Sequence, residues 1–317
     1  MNYLKNFIMG IKMTTNNKIK KLITHNGSFH ADDIFACATL SLVLEEAGEK
    51  FEVIRTRDEE IIKTGDYVFD VGGIYDADKN RFDHHQIGGA GKHQDPQTDI
   101  EYAAFGLVWK KFGEELSGSK EVALLIDKKI AQPIDAGDNG IDLVEFTNEA
   151  KPYFIQALFR SFRPSWKNAN EETLFSGFMQ SVEIAKGVLA REIALIQDAI
   201  EAEGKIEECF KNSEDKKIII LDQKYPWEEQ LYKHLEPIFV IFPRLNDGLW
   251  SVEGIFADFP SFERRKKFPQ AWAGLRNEEL QKVTGVPEAV FCHRGLFLAV
   301  AKSKEGAIKL AQIALES

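Results

Sequence analysis

Lys21-Leu22-Ile23-Thr24-His25-Asn26-Gly27-Ser28-Phe29-His30-Ala31-Asp32-Asp33-Ile34-Phe35-Ala36-Cys37-Ala38 begins with a short apolar run and breaks at Asn26-Gly27-Ser28. It then continues with apolar residues at helical spacing. Ile34, Phe35, Ala38, Leu42 and Leu44 recur until Gly48, a natural helix stop. Strand, loop and helix in this order make the opening of a βα unit. The rhythm repeats outward, with a second strand over 51–55, a short helix over 58–63, and a third strand over 67–71 ended by Gly72-Gly73. A further run, Arg81-Phe82-Asp83, leads into His84-His85. Short apolar runs alternating with amphipathic stretches predict an α/β fold, a mostly parallel sheet flanked by helices. Helices are expected at 101–116 and 120–131, followed by a polar, glycine-containing stretch at 135–140.

The second half reads differently. Eight of the ten prolines follow position 150, and an amphipathic pattern without proline, one long helix or two, covers 171–210. Strands are expected at 217–222, 238–242, 250–256 and 296–301, with a closing helix at 305–315. This divides the chain into a leader at 1–20, a metal-binding catalytic domain at 21–150, and an α+β substrate-binding domain at 151–317 that includes the long linking helix. A length of 317 residues accords with two domains.

Composition excludes several classes. Hydrophobic residues at 44% and charged residues at 28% are ordinary globular usage, so disorder is excluded. Cys37, Cys209 and Cys292 are too scattered for a disulfide framework or a zinc ribbon. A net charge of −10 excludes a protein that coats nucleic acid with its whole surface and leaves room only for a local basic patch. No apolar run reaches the roughly 18–20 residues of a membrane span. Residues 1–24 hold five lysines but lack the long apolar segment of a secretory signal. The cytoplasm is therefore the default compartment, with the mitochondrion or nucleus open for a eukaryotic source. The oligomeric state is left open, a homodimer included.

Five of the seven histidines, His25, His30, His84, His85 and His93, fall within 25–93, together with Asp32, Asp33, Asp70 and Asp83. His25 and Asp70 stand at or near the carboxyl ends of expected strands, where open α/β sheets bind ligands. Imidazoles mixed with carboxylates suit a pair of borderline divalent ions. Mn²⁺ is the first choice, with Mg²⁺, Co²⁺, Fe²⁺ and Zn²⁺ left open. Such a pair favours phosphoester hydrolysis, whereas no phosphate-binding loop of the G-x-x-x-x-G-K-[ST] form and no G-x-S-x-G elbow is present. Asp33 fits equally a first-turn carboxylate at a helix start, Asp135 a turn or cap residue, and His93 an exposed loop residue.

Asp83-His84-His85 after a strand, with an upstream His and Asp segment and Asp70 between, resembles the DHH phosphoesterase superfamily. The strings Thr24-His25-Asn26-Gly27-Ser28-Phe29-His30-Ala31-Asp32-Asp33, Val71-Gly72-Gly73, Phe82-Asp83-His84-His85-Gln86 and Asp135-Ala136-Gly137-Asp138-Asn139-Gly140-Ile141 resemble one branch of it, the melanocyte proliferating gene one family. The resemblance runs from about Lys21 to the C-terminus. It implies a metal-dependent 3′–5′ exoribonuclease acting on single-stranded RNA. Carried over by position, His25, His30 and Asp70 would hold one ion, and Asp32, Asp70, His84 and Asp138 the other. His85 would face the scissile phosphate, and Asp83 would orient the histidines. Asp138 is favoured over Asp135 in the last motif. His30 departs from the superfamily, which has Asp there.

Two ions alone read only a phosphate, so substrate residues are sought in the second half. Arg264, Arg265, Lys266 and Lys267 beside Phe268 and Trp272 combine charge with aromatic faces, the requirement for a single strand. The resemblance adds weight to Trp272 and to His293-Arg294-Gly295, which is similar to a motif of DHH-associated domains. Two rivals remain: a hydrolase of short oligonucleotides or small phosphoanhydrides, and a non-catalytic, metal-bound regulatory protein.

Overall fold

The computed structural model describes residues 18–317. Most of the expected leader, residues 1–17, lies outside the described residues. The chain divides into two compact units, one ending at Ala194 and one running from Leu195 to Ser317.

The first unit is built on a five-stranded sheet. In chain order, β1 (Lys20–Thr24) is followed by α1 (Ala31–Glu46), β2 (Phe51–Arg55), α2 (Glu59–Ile62), β3 (Tyr67–Phe69), β4 (Tyr75–Asp76) and β5 (Arg81–Phe82). The spatial order is β2-β1-β3-β5-β4, with every pair parallel except β4 with β5. The chain leaves β1 toward β2 on one side and returns to β3 on the other. The carboxyl ends of β1 and β3 therefore flank the crevice where connections diverge, which is where ligands enter such sheets. The expected α/β class is what the structure has.

Helix α1 is buried along nearly its whole length, from Ala31 to Leu44, because it lies between the sheet and the helices that follow. Those helices are α3 (Ala104–Ser117), α4 (Lys120–Ile126), α5 (Gln132–Asp138) and α6 (Ile155–Arg160), and the Phe35 and Phe105 rings meet at 5.1 Å. A five-residue π-helical turn at Asp127–Ala131 joins α4 to α5. The polar stretch expected at 135–140 is thus largely helical, up to Asp138. Pro133 sits in the first turn of α5, directly after the π-helical turn, and the helix runs on through it.

The long helix α7 (Glu171–Asn212) follows, and the division between the units falls within it. The second unit contains β6 (Ile218–Ile220), α8 (Glu228–Tyr232), β7 (Phe239–Pro243), β8 (Trp250–Gly254), α9 (Asn277–Thr284), β9 (Ala289–Cys292), β10 (Leu298–Ala301) and α10 (Lys304–Glu316). Its sheet order is β6-β7-β8-β10-β9, antiparallel except for β6 with β7. Side chains alternate between the two faces, as strand geometry requires. Phe239 and Ile241 join one core with Leu310 of α10, while Val240 and Phe242 join the other with Trp227 and Ile206. Strand β9 and helices α6, α8 and α9 escape the sequence reading because they are short. Among the described residues no helix is long and apolar enough to cross a membrane.

Candidate metal centre

Parallel pairing delivers the first-unit residues to one edge of the sheet. His25 follows β1, Asp70 follows β3, and Asp83, His84 and His85 follow β5. The loop after His25 then turns the chain into α1, with His30 at the N-cap and Asp32 and Asp33 in the first turn. Asp33 Oδ1 accepts the His30 backbone N–H at 2.8 Å, so it does cap the helix. Its other oxygen lies 3.3 Å from His25 Nε2, which makes it part of the site as well.

Asp70 is the centre of the arrangement. Its Oδ2 is 3.1 Å from His25 Nε2 and its Oδ1 is 3.5 Å from His84 Nε2. Its backbone is left-handed, with φ of 53°, a conformation that a short polar side chain tolerates and that turns the carboxylate into the crevice. On the far side, Asp138 at the end of α5 places Oδ1 3.5 Å from His30 Nδ1 and Oδ2 3.4 Å from His84 Nε2. Three sets of donor atoms come close enough to share an ion: His25 with Asp33 and Asp70, Asp70 with His84 and His85, and His30 with Asp32 and Asp138. His30 therefore groups with Asp32 and Asp138 rather than with His25 and Asp70.

The electrostatics are those of a cation site. Burial alone would lower the His25 imidazole, but the Asp33 and Asp70 carboxylates outweigh it and raise the group to about 9. Burial pushes Asp70 up, yet His25 and His84 hold it well below the usual carboxylate range. Burial, and then the charges of Asp70 and Asp138, push Asp32 well above that range. Both Asp32 oxygens, Asp70 Oδ1 and His84 Nε2 are buried without a hydrogen-bond partner. Buried polar atoms normally find partners, and the grouping of these atoms with Asp33 Oδ2, likewise without one, makes this a candidate metal site. The donor set fits divalent ions.

Asp83 is not available as a ligand. Its Oδ1 accepts the His84 and His85 backbone N–H groups and lies 2.7 Å from His85 Nδ1, while its Oδ2 accepts from Gly73 at 2.5 Å. It orients His85, whose ring is exposed on the wall of the crevice.

Asp135, taken from the sequence as a candidate ligand, does something else. One oxygen lies 2.9 Å from His93 Nε2 and accepts the Ala103 N–H, and the other accepts the Gly106 N–H. With both oxygens engaged, it anchors the start of α3. His93 is accordingly buried between Asp127 and Asp135 rather than exposed in a loop. The carboxylates outweigh burial and raise its imidazole to about 9.

Two arginines that the sequence did not flag hold the loop at 26–30. Arg55 donates to Gly27 O at 2.7 Å and lies 4.6 Å from the centre of the Phe178 ring, and Arg163 donates to Phe29 O. Only their neighbours in the fold reveal this role.

The second-unit candidates divide. Trp272 is 3% exposed, stacked on Phe268 in the core, so it offers no face to a base. Arg265 donates to the carbonyls of Phe256, Pro237 and Tyr232, a structural role. Arg264 lies 3.6 Å from the centre of the Phe256 ring, and burial lowers its guanidinium. Lys267 and Arg294 are exposed, and His293 is half-buried beside Phe297.

The family model MYG1_exonuc, described as an uncharacterised protein family (UPF0160), matches residues 21–315. The chain belongs to this family. Among MYG1 relatives, the MYG1 exonuclease of Homo sapiens is 31% identical over 327 residues, covering 92% of this chain and 85% of the human one. A MYG1 protein of Saccharomyces cerevisiae is 30% identical over 99% of this chain and 100% of its own length. Among solved structures, RecJ in complex with Mn²⁺ from Thermus thermophilus aligns with 94% of this chain at 13% identity and a TM-score of 0.28. This chain spans about half the length of that RecJ chain, 52%. The MYG1 match extends beyond the candidate metal cluster and through the second unit to residue 315.

Proposed function

We propose that the chain is a metal-dependent phosphodiesterase and that its reaction is 3′–5′ exonucleolytic hydrolysis of single-stranded RNA. The observation that carries the metal-dependent part is the group of buried acceptors without donors: both Asp32 oxygens, Asp70 Oδ1 and His84 Nε2. The exonuclease part is supported by family membership and by the name of the human relative. RNA and the 3′ polarity rest on the motif resemblance.

His25, Asp33 and Asp70 would hold one ion of a pair, and His30, Asp32, His84 and Asp138 the other. Asp70 is the carboxylate we assign to both, because its two oxygens face different imidazoles. Mn²⁺ is favoured by the mixture of imidazole and carboxylate. When bound, such a pair supplies positive charge to phosphoryl oxygens and makes hydroxide accessible near neutral pH. His85 keeps a proton on Nδ1 toward Asp83, which leaves Nε2 to exchange a proton with the substrate.

The test is a time course with 5′-labelled single-stranded RNA in Mn²⁺, Mg²⁺ and chelator, with Asp70→Ala as control. A metal-dependent ladder shortening from the 3′ end, absent in the variant, is the expected result. Intact RNA together with turnover of dinucleotides or pyrophosphate would replace the proposal with a small-substrate hydrolase.

A further inference from the structure

The crevice that holds the metal cluster is a cavity of about 570 Å³, and Arg57 is the only arginine or lysine among its lining residues. The other charged or titratable lining groups, such as Asp70, Asp138 and His85, are carboxylates and imidazoles. Arg57 comes two residues after β2, the strand beside β1, and so reaches the same sheet edge as His25. Its backbone is pinned on both sides. The Thr56 N–H donates to Thr24 O at 2.8 Å, and the Asp58 N–H donates to Thr56 Oγ1 at 3.1 Å before Asp58 caps α2. The side chain is exposed, and among the described residues it enters no ion pair.

The His25 ring stands between this cation and the carboxylates. Its Nε2 faces Asp33 and Asp70, whereas its Nδ1 accepts the Gly27 N–H at 3.1 Å. On that second side, a Cβ placed on Gly27 would lie 3.4 Å from His25 Nδ1 and 3.6 Å from Arg57 Nη2. The guanidinium therefore lies on the Nδ1 side of His25, across the ring from the Asp33 and Asp70 carboxylates. An exposed guanidinium with no ion-pair partner among the described residues, in a solvent-open crevice, is suited to grip an anion, and its planar fork matches phosphate oxygens. The scissile phosphate belongs to the ions, so the anion within reach of Arg57 is a different one.

We propose that Arg57 binds a second phosphate of the substrate, next to the one that is cleaved, and thereby selects substrates with at least two phosphoryl groups. This rests on the phosphodiesterase reading above. Two sources share the chemistry, the neighbouring phosphate of an oligonucleotide and the second phosphoryl group of an anhydride, and the experiment separates them.

Wild type, Arg57→Ala and Arg57→Lys are compared in Mn²⁺ on a trinucleotide, on pyrophosphate, and on bis(p-nitrophenyl) phosphate, which carries a single phosphate. Arg57→Ala is expected to lose about ten-fold or more in kcat/KM on a two-phosphate substrate, mainly through KM, with Arg57→Lys intermediate. Its rate on the single-phosphate ester should stay within about two-fold. A loss confined to the trinucleotide assigns the second phosphate to a strand, and one confined to pyrophosphate assigns it to an anhydride. Binding of a labelled trinucleotide in Ca²⁺, read by fluorescence anisotropy, should weaken in parallel, while the thermal shift produced by Mn²⁺ stays unchanged. Equal losses on all substrates, or none on any, overturn the assignment. A wild-type protein that cleaves none of the three overturns the phosphodiesterase reading itself, and the role of Arg57 with it.

Discussion

His85 Nδ1 lies 2.7 Å from Asp83 Oδ1, the same oxygen that accepts the His84 and His85 backbone N–H groups at 2.8 and 3.2 Å. With Oδ2 held by Gly73, every interaction of Asp83 serves to fix its neighbours. Asp83→Asn replaces an acceptor-only group by one that also donates, and the His85 tautomer is no longer determined. We expect a loss of about 10- to 100-fold in kcat with Mn²⁺ affinity within a few-fold of wild type. Steady-state rates beside metal titration calorimetry check this. An undiminished kcat would remove Asp83 from the mechanism.

Asp32 is wholly buried with no donor for either oxygen, and its charge is repelled by Asp70 and Asp138. Asp32→Asn should therefore make the metal-free protein more stable at neutral pH, by on the order of 1 kcal/mol. The sign follows from the raised carboxyl: the wild-type penalty is full above its raised pKa, is relieved as pH falls from there, and is gone below the ordinary carboxylate value of about 3.9. The same variant should lose most of the stabilisation that Mn²⁺ gives the wild type. Thermal melts with chelator and with Mn²⁺ measure both effects. A variant less stable than wild type in chelator contradicts the prediction.

His93 between Asp127 and Asp135 gives a second pH dependence in the same sense. Its imidazole is raised to about 9 from an ordinary 6.5, so its stabilising contribution is complete below about pH 6.5 and is lost as pH rises through 9. Wild type should lose on the order of 2–3 kcal/mol between pH 7 and pH 10 that His93→Gln does not lose. Urea denaturation of the two proteins at both pH values provides the comparison. Parallel changes in the two would mean that the histidine is not held charged.

Trp272 separates core packing from base stacking. Its side chain is 3% exposed against Phe268, so Trp272→Ala should cost about 3–5 kcal/mol of stability. Trp272→Phe keeps an aromatic core residue and should leave single-stranded RNA affinity unchanged. A Phe variant that stays folded yet binds RNA ten-fold more weakly would restore the stacking role.

The match between sequence and structure is closest where local signals and topology coincide. Strand β2, the long helix α7 and the strand-loop-helix from Lys20 to Glu46 were legible because apolar spacing and turn residues marked their limits. The residues that follow β1, β3 and β5 were legible as a group, since imidazoles and carboxylates there have no packing purpose. Asp33 was half legible: its place in the first turn of α1 was readable, but its approach to His25 required the fold. Asp138 was favoured over Asp135 by the motif resemblance, but both stayed candidates three residues apart. The helical turn between them gives one to His93 and the other to His30 and His84.

The basic run in the second unit shows the opposite case. Four consecutive charges look like a surface, yet Arg265 caps backbone carbonyls and Arg264 packs on an aromatic ring. What the sequence by itself determined was the kind of chemistry and the βα rhythm that presents it. Both depend on residue type and short-range spacing, which the chain carries locally. Only the tertiary structure decided which oxygen faces which imidazole, which carboxylates are already satisfied, and that Arg57 stands near His25 with no ion pair among the described residues. Those facts depend on what lies across from each side chain, and the neighbours come from strands and helices tens of residues away.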